Sequence, residues 1–271
     1  SGRYQADSII DTSPGYIQVG TSMIHDEHNL GPIPLAKVLA FSSNVGMAHL
    51  ALSLEPKQIW STLDALGFGR VTASGFPGES AGQLSNYSHW RSVLIGNMSH
   101  GYGLSVTPLQ LAQAYATLGA LGLRHPVSML RIDGPVSGDR VLARPVCAAL
   151  LHLLESVITM PGATGKLAAI PGYRIAGKTG TAWKAEGGGY SQNRYVAVFG
   201  GVAPVSNPRL AAVIVIDEPS AGKYHGGDVS APVFSAVVGG SLRLLGVPPD
   251  ATVHPGGATG AANSDTQVAR R

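Results

Sequence analysis

The chain has 271 residues, 44% of them hydrophobic and 13% charged, with a formal net charge of +3 and one cysteine. That length and composition describe a globular protein with a sizeable core and exclude a disordered chain, and a lone cysteine excludes an intramolecular disulfide. Lys and Arg are scattered rather than gathered with aromatics into a stripe, which argues against nucleic-acid binding, and the longest apolar run, 211–216, is strand-sized rather than membrane-spanning.

Residues 4–20 read as irregular or extended, with Ser13-Pro14-Gly15 as a turn ahead of a short strand over Tyr16–Val19. A polar loop follows, carrying His25, Asp26, Glu27 and His28. His-x-x-His beside two acids could be drawn as a metal site, but no further ligand follows at suitable spacing, and a solvated loop is the better reading. Apolar positions at Leu35, Val38 and Leu39, then at Val45, Met47, Leu50 and Leu54, keep helical spacing on either side of a break at Ser42-Ser43-Asn44. Serine and asparagine compete for backbone hydrogen bonds and favour caps, so the triplet is placed at a helix–helix junction with Asn44 near an N-cap. Either it caps a helix and nothing more, or it directs side chains into a cleft.

Residues 56–66 predict a helix closed by Gly67-Phe68-Gly69, and 74–97, rich in Gly, Pro and Ser, read as loop. Thr107-Pro108-Leu109-Gln110 opens the next helix, with Thr as N-cap, Pro at the first helical position and Gln as capping-box partner. Its stripe of Leu111, Ala114, Tyr115 and Leu118, set among small residues, marks a central core helix. Residues 124–143 form a loop with a hairpin around Asp133-Gly134-Pro135, and 144–160 a helix that buries Cys147 as a packing residue. Strands over 195–202 and Leu210–Asp217, with residues 173–183, predict a three-stranded antiparallel meander. A flexible loop over 223–227 leads to a final amphipathic helix at 232–245, and beyond Pro249 the composition collapses to a tail, 250–271, expected to be disordered.

Within the first strand of that meander, Lys178-Thr179-Gly180-Thr181 sets a compact positive charge and two hydroxyls beside an edge that Gly180 leaves clear. Such an edge can pair with an extended peptide and hold its terminal carboxylate; the plainer alternative is a strand with a surface lysine.

In order along the chain, Ser42-x-Asn44 and Pro171-Gly172-Tyr173-x-Ile175-Ala176-Gly177-Lys178-Thr179-Gly180-Thr181-Ala182 resemble motifs of the penicillin-binding protein transpeptidase domain, class B and division type. Gly101-Tyr102-Gly103-Leu104-Ser105-Val106-Thr107-Pro108-Leu109-Gln110 and Tyr224-His225-Gly226-Gly227, leading to Ala231-Pro232-Val233-Phe234, extend the likeness over residues 2–249. The resemblance implies one domain over 1–249 with an α/β (α+β) fold, serine β-lactamase/transpeptidase-like: an antiparallel sheet flanked by helices, with an all-helical part. It implies a D,D-transpeptidase of septal wall synthesis that cross-links peptidoglycan stem peptides ending in D-Ala-D-Ala and is acylated by β-lactams. Divisome partners, the periplasmic side of the bacterial inner membrane, and membrane attachment only through an anchor absent from this chain are implied as well. Metal, cofactor and nucleic acid are not.

The resemblance also distributes roles. Ser42 would relay a proton toward the leaving amine, and Asn44 would hold the substrate amide. Lys178 would supply a positive field, the hydroxyls of Thr179 and Thr181 would bind the terminal carboxylate, and Gly180 would keep the strand approachable. The Thr181 N–H would form half of an oxyanion hole. Tyr195, Tyr224 and His225 would line the site as an aromatic wall; strand alternation, independently, turns Trp183 to the face opposite Ala182, in the core or on the rim.

One departure matters. The family's nucleophile is the serine of an S-x-x-K motif lying before S-x-N, and no such motif precedes Ser42. The literal match at Ser220-Ala221-Gly222-Lys223 follows the K-T-G strand in a glycine-containing loop and reads as a coincidence. The chain also opens on Ser1 directly into patterned sequence, so it is expected to be an N-terminally truncated domain whose nucleophile lies upstream. Two other readings keep the cleft and change the outcome: a β-lactamase or D,D-carboxypeptidase, for which the class A glutamate loop is not found, and a catalytically incomplete binding module.

Overall fold

In chain order the computed structural model, which describes residues 2–187 and 189–251, runs β1 (Ile9–Asp11), β2 (Tyr16–Val19), β3 (Ser22–His25), β4 (Pro32–Pro34), α1 (Leu35–Ala40), α2 (Asn44–Leu52), α3 (Pro56–Ala65) and α4 (Ser92–Met98). It continues through α5 (Pro108–Gly119), β5 (Leu123–Arg124), β6 (Asp139–Arg140), α6 (Arg144–Thr159), β7 (Ala176–Glu186), β8 (Gly189–Ala203), β9 (Leu210–Asp217) and α7 (Gly226–Leu244). The expected mixed α/β architecture is present: an antiparallel sheet in the order β7-β8-β9, packed between helices, beside a helical part with small hairpins.

Strand alternation decides which helix covers which face. On β8, Phe199 and Ala203 point to α7 and pack with Phe234, Val238 and Leu242, all buried. Val202 points the other way, into a second cluster with Leu118 of α5 and Cys147, Leu151 and Val157 of α6. Gly200 shares that second face, and its missing side chain admits Tyr115, whose ring would lie 2.3 Å from a Cβ placed there. Cys147 is fully buried, a packing residue as its helical context predicted. The helical part has its own smaller cores, around Ile10, Ile33, Val38 and Leu50 and around Val19, Ile24 and Ala48.

The capping box of α5 forms as the sequence indicates. Thr107 Oγ1 accepts the Gln110 N–H at 3.1 Å and Gln110 Oε1 accepts the Thr107 N–H at 2.8 Å. Gln110 is almost fully buried, and its Nε2 donates to the carbonyls of Arg70 and Ala81 at 2.7 and 2.8 Å. The same amide therefore starts the helix and fastens the long 70–82 loop to it, leaving no buried donor unsatisfied on that side chain.

Three departures from the sequence reading have local causes. Residues 92–98, read within a loop, form α4: Val93, Leu94, Ile95 and Met98 carry the helix, but the flanking Gly and Ser dilute their signal. The loop that includes His25 is partly strand, because β2 and β3 close a hairpin with Tyr16 opposite His25 and Val19 opposite Ser22. The final helix starts at Gly226 rather than near Pro232, which sits inside it. Gly226 is required by packing, since a Cβ there would lie 2.3 Å from the carbonyl oxygens of both Gly180 and Val198. Replacing Gly226 by Ala is therefore expected to destabilise by about 1–3 kcal/mol, lowering Tm by several degrees in a thermal melt. Gly180→Ala, whose Cβ would meet only Val198 Cβ at 3.6 Å, should melt close to wild type. At the C-terminal end, Asp250 accepts the backbone N–H groups of Arg174 and Ser206 at 2.7 and 3.0 Å, while residues 252–271, most of the expected tail, lie outside the described residues.

Candidate active site

Among the described residues β7 is an edge strand, paired with β8 alone. Its Trp183 N–H points away from β8 and donates to the Tyr102 hydroxyl at 3.1 Å. By alternation Thr181 and Thr179 turn their backbone groups to the same open edge, and Lys178 Nζ indeed reaches the Thr179 carbonyl at 3.2 Å. The K-T-G-T segment thus presents unpaired main chain, one ammonium and two hydroxyls along one rim.

Opposite this rim stands the turn between α1 and α2. Ser42 holds φ +58°, the left-handed region that costs a residue with a side chain about 1 kcal/mol or more. The chain can make that turn because its neighbours over-determine it. Ser43, directly before Asn44, is the N-cap of α2, as the junction reading expected: its Oγ accepts the Gly46 N–H at 2.9 Å and donates to Asp26 Oδ2 at 2.6 Å. Asp26 Oδ1 accepts the Val45 N–H at 3.0 Å, placing a carboxylate at the positive end of the helix. Asn44 Nδ2 donates to the His25 carbonyl at 3.0 Å. So Asp26, read from sequence as part of a solvated loop, instead braces the serine–asparagine corner; acid at a helix N-terminus was the signal, hidden because the two segments are distant in sequence.

The two rims meet. Lys178 Nζ donates to Ser42 Oγ at 2.9 Å across 136 positions of sequence, and to Thr179 Oγ1 at 3.1 Å. Burial pushes the Lys178 ammonium down to about 8, so it is charged at neutral pH but close to its titration. Thr179 Oγ1 donates in turn to Thr164 Oγ1 at 2.9 Å, and Thr181 Oγ1 accepts the first N–H of α7, from Gly226, at 3.0 Å. Because Gly226 already donates to it, the Thr181 hydroxyl keeps its own proton to give.

Beyond Thr181 the rim is aromatic. Tyr195 and Tyr224 stack at 4.1 Å with their planes 15° apart, and His225, which precedes the first residue of α7, lies 4.4 Å from Tyr224. Tyr102, to which the sequence reading gave no role, packs edge-on to Tyr190 at 4.8 Å and to His100 at 5.3 Å. Trp183 is half exposed, on the rim rather than in the core. A charge cluster fixes the outer end of this hairpin: Arg194 contacts Glu186 and Glu218, and Lys184 contacts Asp217 and Glu218. Arg194 and then Lys184 hold the Glu218 carboxyl down at about 2.

Ser220 and Lys223 are exposed in the β9–α7 connection, apart from these contacts. Among the described residues no group of three or more metal-ligating side chains forms, and no helix is long and apolar enough to cross a membrane. A separate hollow of about 420 Å³, between α5, α6 and the β8–β9 turn, is lined by Leu151, His152, Glu155 and Arg174 and takes no part in the arrangement.

A serine–asparagine corner facing a K-T-G edge strand, on an antiparallel sheet packed between helices, defines the class of penicillin-recognising serine acyl-transfer folds. The chain belongs to the penicillin binding protein transpeptidase domain family, whose model matches residues 1–239. It is 43% identical over 250 residues to peptidoglycan D,D-transpeptidase FtsI of Escherichia coli K12, covering 92% of this chain and 42% of that protein. To the probable peptidoglycan D,D-transpeptidase PbpC of Pseudomonas aeruginosa it is 39% identical over 251 residues, covering 92% of this chain and 44% of the relative. The chain therefore spans less than half the length of these relatives. Among solved structures, the apo TP domain of Burkholderia pseudomallei penicillin-binding protein 3 superimposes with a TM-score of 0.87 at 38% identity, covering 92% of this chain and 76% of that one.

Proposed function

We propose that this chain is most of the acyl-transfer domain of a peptidoglycan D,D-transpeptidase, acting on stem peptides that end in D-Ala-D-Ala and acylated by β-lactams. The 2.9 Å contact between Lys178 Nζ and Ser42 Oγ carries the reading, because it brings two motifs far apart in sequence into direct contact. The attacking serine belongs, on this reading, to an S-x-x-K segment outside these 271 residues, since residues 1–41 hold none and the exposed Ser220 and Lys223 are not among the hydrogen bonds that join Ser42 to Lys178.

In that reaction the lysine of the S-x-x-K segment takes the serine's proton, to return it by way of Ser42, as the serine oxygen bonds to the carbonyl carbon between the two D-alanines. The resulting oxyanion sits on the Thr181 N–H and the serine's own N–H. The C–N bond then breaks, and Ser42 passes a proton to the departing D-alanine amine. An amine of a neighbouring stem attacks the acyl-enzyme, forms the cross-link and frees the serine. Asn44 holds the substrate amide. Lys178 and the Thr181 hydroxyl take the terminal carboxylate, while Gly180 leaves the strand edge open to the peptide. Thr179 spends its proton on Thr164, so its oxygen serves Lys178 more directly than it serves the carboxylate. Tyr195, Tyr224 and His225 flank the bound chain. A septal role with divisome partners at the periplasmic face of the inner membrane follows the same reading.

With the chain extended N-terminally by its S-x-x-K segment, a chromogenic β-lactam is expected to give a stoichiometric burst and then stop. Sustained turnover would overturn the reading in favour of a β-lactamase or carboxypeptidase, which hand the acyl group to water.

A further inference from the structure

We infer that Thr164 is a positioning residue of this site, the link that fixes the Ser42 corner to the K-T-G strand and sets the hydroxyl on which Lys178 rests. The inference rests on the role proposed for Lys178. Thr164 lies between α6 and the short 3-10 turn Lys166–Ala168, outside every motif that the sequence singled out. Four contacts converge on it. Its N–H donates to the Ala40 carbonyl at 3.1 Å, and its Oγ1 lies 3.4 Å from the same oxygen. Its Oγ1 accepts from Thr179 Oγ1 at 2.9 Å, and its carbonyl abuts Gly227, where a Cβ would lie only 2.3 Å away.

Ala40 is the last residue of α1, so its carbonyl is one of the oxygens that a helix C-terminus leaves without an intrahelical partner. Ser42 is two residues further on. A closed circuit results: Lys178 Nζ to Ser42 Oγ, back through the chain to Ala40 O, across to Thr164 Oγ1, to Thr179 Oγ1, and again to Lys178 Nζ. Donor directions around it are consistent. Thr164 gives its proton to Ala40 O and accepts from Thr179, so the Thr179 hydroxyl proton is turned away from the ammonium and its lone pair toward it. A hydroxyl is the only neutral side-chain group here that can both accept and donate at one atom. Without it, Thr179 is free to rotate its proton toward Lys178, and the charged amine loses an acceptor.

Lysine without that acceptor is more easily deprotonated. No charged side chain adds to the displacement of Lys178, which burial alone causes. On the elements packed against β7, Glu155 is paired with Arg174 and Arg194 with Glu186 and Glu218, and His225 and Asp228 stand at the head of α7.

The test uses Thr164→Val, which keeps the shape and removes the hydroxyl, and Thr164→Ser, which restores it. NMR titration of the Lys178 side chain in the 271-residue protein is expected to show its midpoint fall in the Val variant and return in the Ser variant. In the N-terminally extended protein, acylation by benzylpenicillin should slow about tenfold for Val and recover for Ser. A Val variant with an unmoved Lys178 midpoint overturns the inference, whether its acylation is normal or slowed, because slowing alone marks a purely structural part. A Ser variant as impaired as Val overturns it too. If Lys178→Ala in the extended protein acylates normally, the role of Lys178 falls, and the titration still decides whether Thr164 sets its hydroxyl.

Discussion

Incubated with benzylpenicillin, the 271-residue chain is expected to show no penicilloyl adduct in an intact-mass spectrum, whereas the chain extended by its S-x-x-K segment gains one adduct per molecule. The effect is all or none because the bond formed is covalent and the proposed nucleophile is the serine of that segment. What these residues supply is the environment: an ammonium, an open strand edge and a threonine hydroxyl with its proton still to give. Ser42 is held in a left-handed turn with its hydroxyl on Lys178, and acylation there would use up the hydroxyl proposed as proton donor to the leaving amine. A one-to-one adduct on the 271-residue chain would overturn the placement of the nucleophile.

Lys178→Ala in the extended chain is expected to slow acylation by about 100-fold or more, the usual effect of removing a group that stabilises charge at the reacting centre. The rate should also carry an alkaline limb near pH 8 that this variant lacks. The sign follows from the depressed value: the amine is charged below about 8 and neutral above it, so its field and its grip on a carboxylate are present at neutral pH and lost as pH rises. Stability runs the other way. The folded-state value lies below the ordinary 10.5, so the buried ammonium costs stability below about 8, and that cost is shed as pH climbs from about 8 toward 10.5. An acylation rate unchanged in Lys178→Ala would remove the role given to it.

What could be read without coordinates was what is local. Thr107-Pro108-x-Gln110 announces a helix start because all its partners lie within one turn, and both of its reciprocal bonds form. The alternating apolar runs give the β8 and β9 strands for the same reason. Ser42 and Lys178 could be named together only through a family resemblance, since nothing in either segment encodes the other, 136 positions away. Asp26 and Thr164 were invisible for that cause: each is an ordinary polar residue in a loop until folding sets it against a helix end. The start of α7 was missed because Gly226 and Gly227 read as flexible chain, when the missing side chain of Gly226 is what lets the helix lie on the backbone of β7 and β8, and that of Gly227 lets it lie against the Thr164 carbonyl. Thr179 and Thr181 look equivalent in sequence, and their surroundings divide them, one turned to Thr164 and the other to Gly226.

A double-mutant cycle on the acylation rate of the extended chain addresses the joined site most directly. Ser42→Ala and Lys178→Ala should each cost about 100-fold, and the double variant little more than the worse single one, because the two side chains share one hydrogen bond and one groove. If the losses instead multiply to about 10,000-fold, as for independent groups, Ser42 and Lys178 do not work as one site.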